Sequence, residues 1–196
     1  MARMAEIARK TSETEISLSV LLDSDGNSDI NTGISFFDHM LTQVAKHGFI
    51  NLSVNAQSFK KEPDGHHVIE DTGIALGKAI KDALGEKNTI KRYGTSFVPM
   101  DDALAMVSID LSGRAFLVFD VEFCSSQIGD MTTQLIEEFF RALAFNSGMT
   151  LHIRVLYGKN DHHKAEAIFK AFGKAFDEAS REDDRIKGIM STKGLL

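Results

Sequence analysis

A segment near the middle of the chain, HHVIEDTGIALGKAI at 66–80, returns as HHKAEAIFKAFGKAF at 162–176. At this shift of 96 positions both His, the Glu, an Ala and the run Gly-Lys-Ala coincide. Upstream, GFINLSV (48–54) lies over GMTLHIR (148–154) at a shift of 100, so the loop before the first His pair is four residues longer. Self-similarity of this kind marks one structural unit used twice. Amphipathic helices share Ala and Leu by chance, but chance rarely places two His pairs in register. A chain of 196 residues, 43% hydrophobic, is sized for one sizeable core. We therefore expect a single domain made of two repeats, about 8–90 and 91–190.

Hydrophobic spacing fills in the unit. Ile16, Leu18 and Val20 alternate with Ser17 and Ser19, which predicts a strand over Glu15–Leu22 with one buried face. Asp23-Ser-Asp-Gly-Asn-Ser is a turn. Phe36–Lys46 has helical spacing and stops at Gly48. Leu52–Val54 reads as a short strand, Asn55–Asp64 as a polar loop, and His67–Leu84 as a long helix closed by Gly85. Leu104–Asp110 and Ala115–Phe123 read as strands, after which Thr133–Asn146, Leu151–Leu156 and His163–Glu178 repeat the order helix, strand, helix. Two strand–helix units packed as sheets backed by helices give an α+β fold.

Composition narrows the function. With 22 basic and 28 acidic residues the net charge is −6, so the chain as a whole has no attraction for nucleic acid or an anionic membrane. An anionic substrate must be met by a local cluster of Lys and Arg. Cys124 is the only cysteine, which rules out an intramolecular disulfide and a Cys-based zinc site. The start, MARMAEIARK, is basic but leads into no apolar signal core, and no apolar run is long enough to span a bilayer. A soluble cytoplasmic protein is the expectation.

The chemistry sits in the repeated HHxxE units, His66, His67, Glu70 and His162, His163, Glu166. On a helix the Glu lies three residues from the second His and four from the first, so each pairing shares a face. Adjacent His side chains diverge by roughly 100°, so each pair is expected to divide between two metal ions. Imidazole and carboxylate without thiolate suit Mn, Fe, Zn, Co or Ni, and a carboxylate-rich octahedral site leans toward Mn. His39, His47 and His152, taken singly, are structural on this reading. Asp71 and Asp161 are read as favouring the N-terminal dipoles of their helices. Arg92, Arg114, Lys170 and Lys193 are scattered in sequence, though Arg114 and Lys193 sit beside Gly, where backbone amides can also approach an anion.

The ordered series RKTSET (9–14), GISFFDHML (33–41), DGHHVIEDTGIALG (64–77), RYG (92–94), PMDDALA (99–105), DLSGR (110–114), LHIRVLYGKNDHHKAEAIFKAFG (151–173) and STKG (191–194) resembles the imidazoleglycerol-phosphate dehydratases over almost the whole chain. The resemblance implies a lyase of histidine biosynthesis that removes water from imidazoleglycerol phosphate to give imidazoleacetol phosphate. It implies duplicated half-domains, each a mixed β-sheet backed by two helices (ribosomal protein S5 domain 2-like). It further implies two Mn2+ per active site and a closed homo-oligomer of 24 subunits, with the ligands of one site drawn from different subunits. The metal ligands would be His39, His66, His67, Glu70, Glu138, His162, His163 and Glu166. The substrate phosphate would be met by His47, Arg92, Arg114, Lys170, Ser191 and Lys193, with Gln43 near. Glu13 and Glu166 would be the acid–base candidates, and Asp101 or Asp102 would lie beside the substrate.

That assignment gives the residues a chemical purpose. The proton to be lost sits on the carbon bonded to the substrate's ring and is barely acidic. A ring held between two cations becomes a usable electron sink, while a carboxylate takes the proton and an acid helps water leave. Three departures stand out: Glu138 where His is common, Ala115 where Pro often follows the DLSGR arginine, and Met190 where Pro often precedes STKG. Rival readings are another two-metal enzyme, such as a phosphatase or nuclease, a non-catalytic metal-binding or storage protein using the same His clusters, and a structural module with incidental His. A storage protein has no reason to carry Arg92, Arg114 and the STKG tail.

Overall fold

The structure is a computed structural model that describes residues 2–60 and 65–194. The first repeat runs β1 (Met4–Lys10), β2 (Thr14–Leu21), β3 (Ser28–Asn31), α1 (Ser35–His47), β4 (Asn51–Ser58) and α2 (His66–Leu84). The second runs β5 (Tyr93–Met100), β6 (Ala103–Asp110) and β7 (Phe116–Asp120), then a hairpin of β8 (Gln127–Ile128) and β9 (Met131–Thr132). It continues with α3 (Gln134–Ser147), β10 (Thr150–Tyr157) and α4 (Asp161–Ser180). Apart from the inserted hairpin the element orders match.

So do the sheets. One is ordered β1-β2-β4-β3 and the other β5-β6-β10-β7. In each, the first three strands pair antiparallel and the last joins in parallel. The fold is α+β, with two mixed sheets, each backed by the two helices of its own repeat. Burial alternates along the long strands, as the pleat requires; in β2 the buried residues are Thr14, Ile16, Leu18 and Val20.

Helix contacts run between the repeats: α1 packs on α4, and α2 on α3. The Gly that recurs in the repeated segment permits both crossings. A Cβ on Gly77 of α2 would lie 2.6 Å from the Leu143 carbonyl oxygen of α3, and one on Gly173 of α4 would lie 2.9 Å from the Gly48 amide after α1. The core between the sheets is rich in phenylalanine, with Phe37, Phe139, Phe140, Phe169, Phe172 and Phe176 fully buried.

Helix ends behave as their residues dictate. The Gly48 and Gly85 amides close α1 and α2 on Val44 and Lys81 carbonyls. At the start of α4 the Asn160 side chain accepts from the amides of His162 and His163, an N-cap that seats the His pair in the first turn. The α1 start is capped from the other repeat: Asp130, in the β8–β9 turn, accepts from Ser35 N at 2.6 Å and Phe36 N at 2.9 Å.

Several expectations need correction. β4 runs to Ser58, well into the expected polar loop, because Ala56 still faces the core; residues 61–64 of that loop lie outside the described residues. β7 is shorter than expected, ending at Asp120. β1, β3 and β5 carry no clear signal in sequence. β1 is an edge strand without a fully buried residue. β5 turns Gly94, Ser96 and Val98 inward and Tyr93 and Phe97 outward, because α4 comes so close that a Cβ on Gly94 would meet the Ala175 carbonyl. Asp71 is not an α2 dipole residue. It lies beyond the first turn and is buried, paired with Arg9 at 2.6 Å and accepting from Thr14 Oγ1, so it ties β1 and β2 to α2. Asp161 does open α4, and it is also buried against Lys164 at 2.8 Å. No helix among the described residues is long and apolar enough to cross a membrane.

Candidate active site

Helix α1 carries His39, Gln43 and His47 at successive spacings of four, so all three share a face. Helix α4 carries His162, Glu166 and Lys170 at the same spacing. Because α1 packs on α4, the two rows meet. Glu166 Oε2 lies 3.2 Å from His162 Nε2 and 3.5 Å from His39 Nε2. Phe36 packs edge-on to the His162 ring, with centroids 5.2 Å apart. Among the described residues, His39, His162 and Glu166 are the one group of three or more His, Cys, Asp or Glu whose ligand atoms all lie within 4.8 Å of one another.

The electrostatics suit a cation site. Glu166 is 6% exposed, and burial alone would push its carboxyl up. The Lys170 ammonium, 2.7 Å from Oε1, outweighs that and with His39 holds the carboxyl below its usual value. Glu166 therefore stands ready as an anion, its Oε2 toward the two imidazoles and its Oε1 toward Lys170. His47 is shifted down, by burial first and then by Lys170 and Lys174, and so favours the neutral imidazole. A His-His-Glu set with one anionic oxygen fits a divalent ion of the Mn to Zn series.

His163 points away from this cluster. Its Nδ1 lies 2.7 Å from Asp102 Oδ1, in the β5–β6 turn, and its Nε2 lies 3.5 Å from Asp101 Oδ2. Asp102 Oδ2 also accepts from the amides of Lys159 and Asn160. His163 first, and then these amides, holds the Asp102 carboxyl far below the ordinary range.

In the first repeat, His66 Nε2 lies 3.6 Å from Glu70, and His67 Nδ1 lies 3.5 Å from Glu13 Oε2 in the β1–β2 turn. The Lys60 ammonium bonds Glu13 Oε1 at 2.8 Å and lowers its pKa. Glu138 is the fifth residue of α3 as His39 is of α1, but it lies 3.7 Å from Arg141 Nε. Among the described residues it joins no such three-residue group, and neither do His66, His67 and Glu70. The described residues thus bring one corner of the expected ligand set together.

The residues expected to meet a phosphate divide. Lys170 and His47 adjoin Glu166, whereas Arg92, Arg114, Ser191 and Lys193 line one open cleft with the C-terminal segment. Arg92 has φ 72° and is nearly buried. Its Nε and Nη2 donate to Asp110, at 2.7 and 3.1 Å, and its Nη1 donates to the Met190 carbonyl at 2.7 Å. Arg114 lies 3.8 Å from the same Asp110. Asp110 and Lys60 escaped the sequence reading. Asp110 stands inside the DLSGR motif and could have been found there; nothing in the sequence marks Lys60 as Glu13's partner.

Comparison with known proteins identifies the family. The family model for imidazoleglycerol-phosphate dehydratase matches residues 32–176. The chain is 59% identical to the imidazoleglycerol-phosphate dehydratase of Acetivibrio thermocellus over 196 residues, all of both chains. To that of Clostridium novyi it is 60% identical over 188 residues, covering 96% of this chain and 95% of the relative. The crystal structure of the Staphylococcus aureus enzyme superposes with a TM-score of 0.81 at 37% identity, covering 92% of this chain and 99% of that one. That of the Pyrococcus furiosus enzyme superposes with a TM-score of 0.83 at 37% identity, covering 97% and 100%. Both the storage-protein reading and that of a structural module are set aside, and the chain belongs to the imidazoleglycerol-phosphate dehydratase family, hydro-lyases of histidine biosynthesis.

Proposed function

We propose that this protein dehydrates imidazoleglycerol phosphate to imidazoleacetol phosphate with two manganese ions in each active site. The observation that carries the metal reading is the convergence of His39, His162 and the anionic Glu166 across the two repeats. Manganese held there would supply Lewis-acid withdrawal of electrons from the substrate's ring. His66, His67, Glu70, Glu138 and His163 complete the proposed ligand set. Since among the described residues the first repeat's His pair does not join the His39 group, we assign the remaining ligands to neighbouring subunits of a homo-oligomer, for which 24 subunits is the expectation.

Glu13 and Glu166 are both held ionised by lysines, so each begins as a base. The one that removes the proton from the ring-attached carbon becomes, by that act, an acid able to protonate the departing hydroxyl. Arg92, Arg114, Ser191 and Lys193 bind the phosphate, with Lys170, His47 and Gln43 nearer the reacting end. Guanidinium groups fit phosphate in bidentate fashion, and Lys supplies a point charge. The test is an assay of the purified protein with imidazoleglycerol phosphate, with and without manganese, reading formation of the acetol phosphate. No product with manganese verified as bound would refute the activity; equal rates with and without metal would refute the metal's part.

A further inference from the structure

The two consecutive acids Asp101 and Asp102 look interchangeable in sequence, but the fold gives them different partners. Asp102 Oδ1 meets His163 Nδ1 at 2.7 Å while its Oδ2 accepts the Lys159 amide at 2.6 Å and the Asn160 amide at 3.1 Å. A carboxylate in that position has no proton to give, so His163 must donate from Nδ1. A neutral His163 then carries its lone pair on Nε2, the nitrogen turned toward the exposed Asp101.

We propose that Asp102 is a positioning residue that fixes the ring orientation and tautomer of His163, so that Nε2 is the nitrogen offered to a metal. The inference rests on the metal reading given above. Such an outer carboxylate sets both the direction and the basicity of a ligating imidazole. The repeat supports it from a second place. Glu13 occupies the β1–β2 turn as Asp102 occupies the β5–β6 turn, and it approaches the same nitrogen, Nδ1, of the equivalent His67 at 3.5 Å. The duplicated unit is therefore larger than HHxxE: it includes a hairpin carboxylate behind the second His. The second repeat holds its version more tightly, because the shorter Asp is pinned by two amides.

Two substitutions separate this role from simple support of the turn before α4. In Asp102→Asn the side-chain oxygen can still accept the Lys159 and Asn160 amides, which leaves the NH2 group facing His163. That group donates to Nδ1 and forces the proton onto Nε2, blocking the ligand atom. Asp102→Ala leaves the ring free to adopt either tautomer. Manganese affinity, measured by titration with detection of free Mn2+, is expected to fall about 10- to 100-fold in Asp102→Asn, and by less in Asp102→Ala. The reverse order, with Asn near wild type and Ala weaker, would show that Asp102 only supports the turn; no change in either variant would also overturn the proposal. A second readout does not need the metal. Nitrogen-15 shifts of the His163 ring in metal-free protein, assigned with His163→Gln, should report Nδ1–H in the wild type and Nε2–H in Asp102→Asn. If the wild type binds no manganese but shows Nδ1–H, the metal reading fails while control of the tautomer by Asp102 stands. Nε2–H in the wild type sinks the inference outright.

Discussion

The Glu166 carboxylate on α4 lies 3.5 Å from the His39 imidazole on α1, so the corner proposed to hold a cation is built from both repeats, His39 from the first and His162 and Glu166 from the second. Neither repeat alone could form it. His39→Ala should therefore cost activity and metal together, as loss of an α4 ligand would. His39→Ala and His67→Ala in the first repeat and His163→Ala in the second are each expected to lower turnover by orders of magnitude. The check is rate and bound manganese measured on the same samples. A variant with near-normal rate and metal content would show that its His is only structural.

The two helix crossings predict a sign that helix propensity alone gets wrong. Gly→Ala inside a helix ordinarily gains about 1 kcal/mol. At Gly77 the new methyl would stand 2.6 Å from the Leu143 carbonyl oxygen, and at Gly173 it would stand 2.9 Å from the Gly48 amide. Both obstacles are backbone, which cannot swing aside. Overpacking of this kind costs roughly 1–3 kcal/mol, so both variants should unfold at lower denaturant than wild type. Stabilisation by either would mean that the paired helices can separate without loss.

The repeats and the His-bearing helices were legible because helix packing needs periodic apolar residues, and metal chemistry needs rare side chains at fixed spacing. What stayed hidden depended on contacts between distant segments. Asp71 reads like any early helix acid until Arg9 and Thr14 are seen against it. β5 was obscured because α4 demands small residues on its inner face, so the aromatics Tyr93 and Phe97 fall outside. The separation of Asp101 from Asp102 is a matter of turn geometry, which no spacing rule encodes.

Asp130, which caps the helix that carries His39, gives a pH-dependent prediction about stability. Burial would raise its pKa, but the Phe36 and Ser35 amides outweigh that and hold it below the usual carboxylate value. A group whose folded pKa is depressed contributes stability above its unfolded pKa of ~3.9 and loses it as pH falls through the folded value. Asp130→Ala should thus destabilise the protein by about 1 kcal/mol near neutrality, the usual worth of a helix cap. The difference from wild type should shrink as pH drops below about 4. Paired denaturant melts at several pH values test this, and a difference independent of pH would assign the cap to geometry rather than charge.

The C-terminal STKG segment should behave as part of the active site. Termini are mobile unless something holds them, and here Arg92 does so by donating to the Met190 carbonyl at 2.7 Å while Asp110 fixes the other edge of its guanidinium. That contact uses the backbone of residue 190, so Met in place of the common Pro does not forfeit it. Just beyond, Ser191 and Lys193 line the cleft shared with Arg92 and Arg114. If the substrate phosphate binds there, Lys193→Ala should raise KM, and inorganic phosphate should compete less well against that variant. Truncation before Ser191 should lower kcat as well, because phosphate binding also positions the reacting carbon. Arg92→Lys should resemble the truncation more than the Lys193 variant: one ammonium cannot span Asp110 and the Met190 carbonyl as the planar guanidinium does, so both the anchor and a phosphate donor are lost. Steady-state constants for the three variants decide the matter. A truncated enzyme matching the intact one in both constants would show that the tail is dispensable and that the phosphate binds elsewhere.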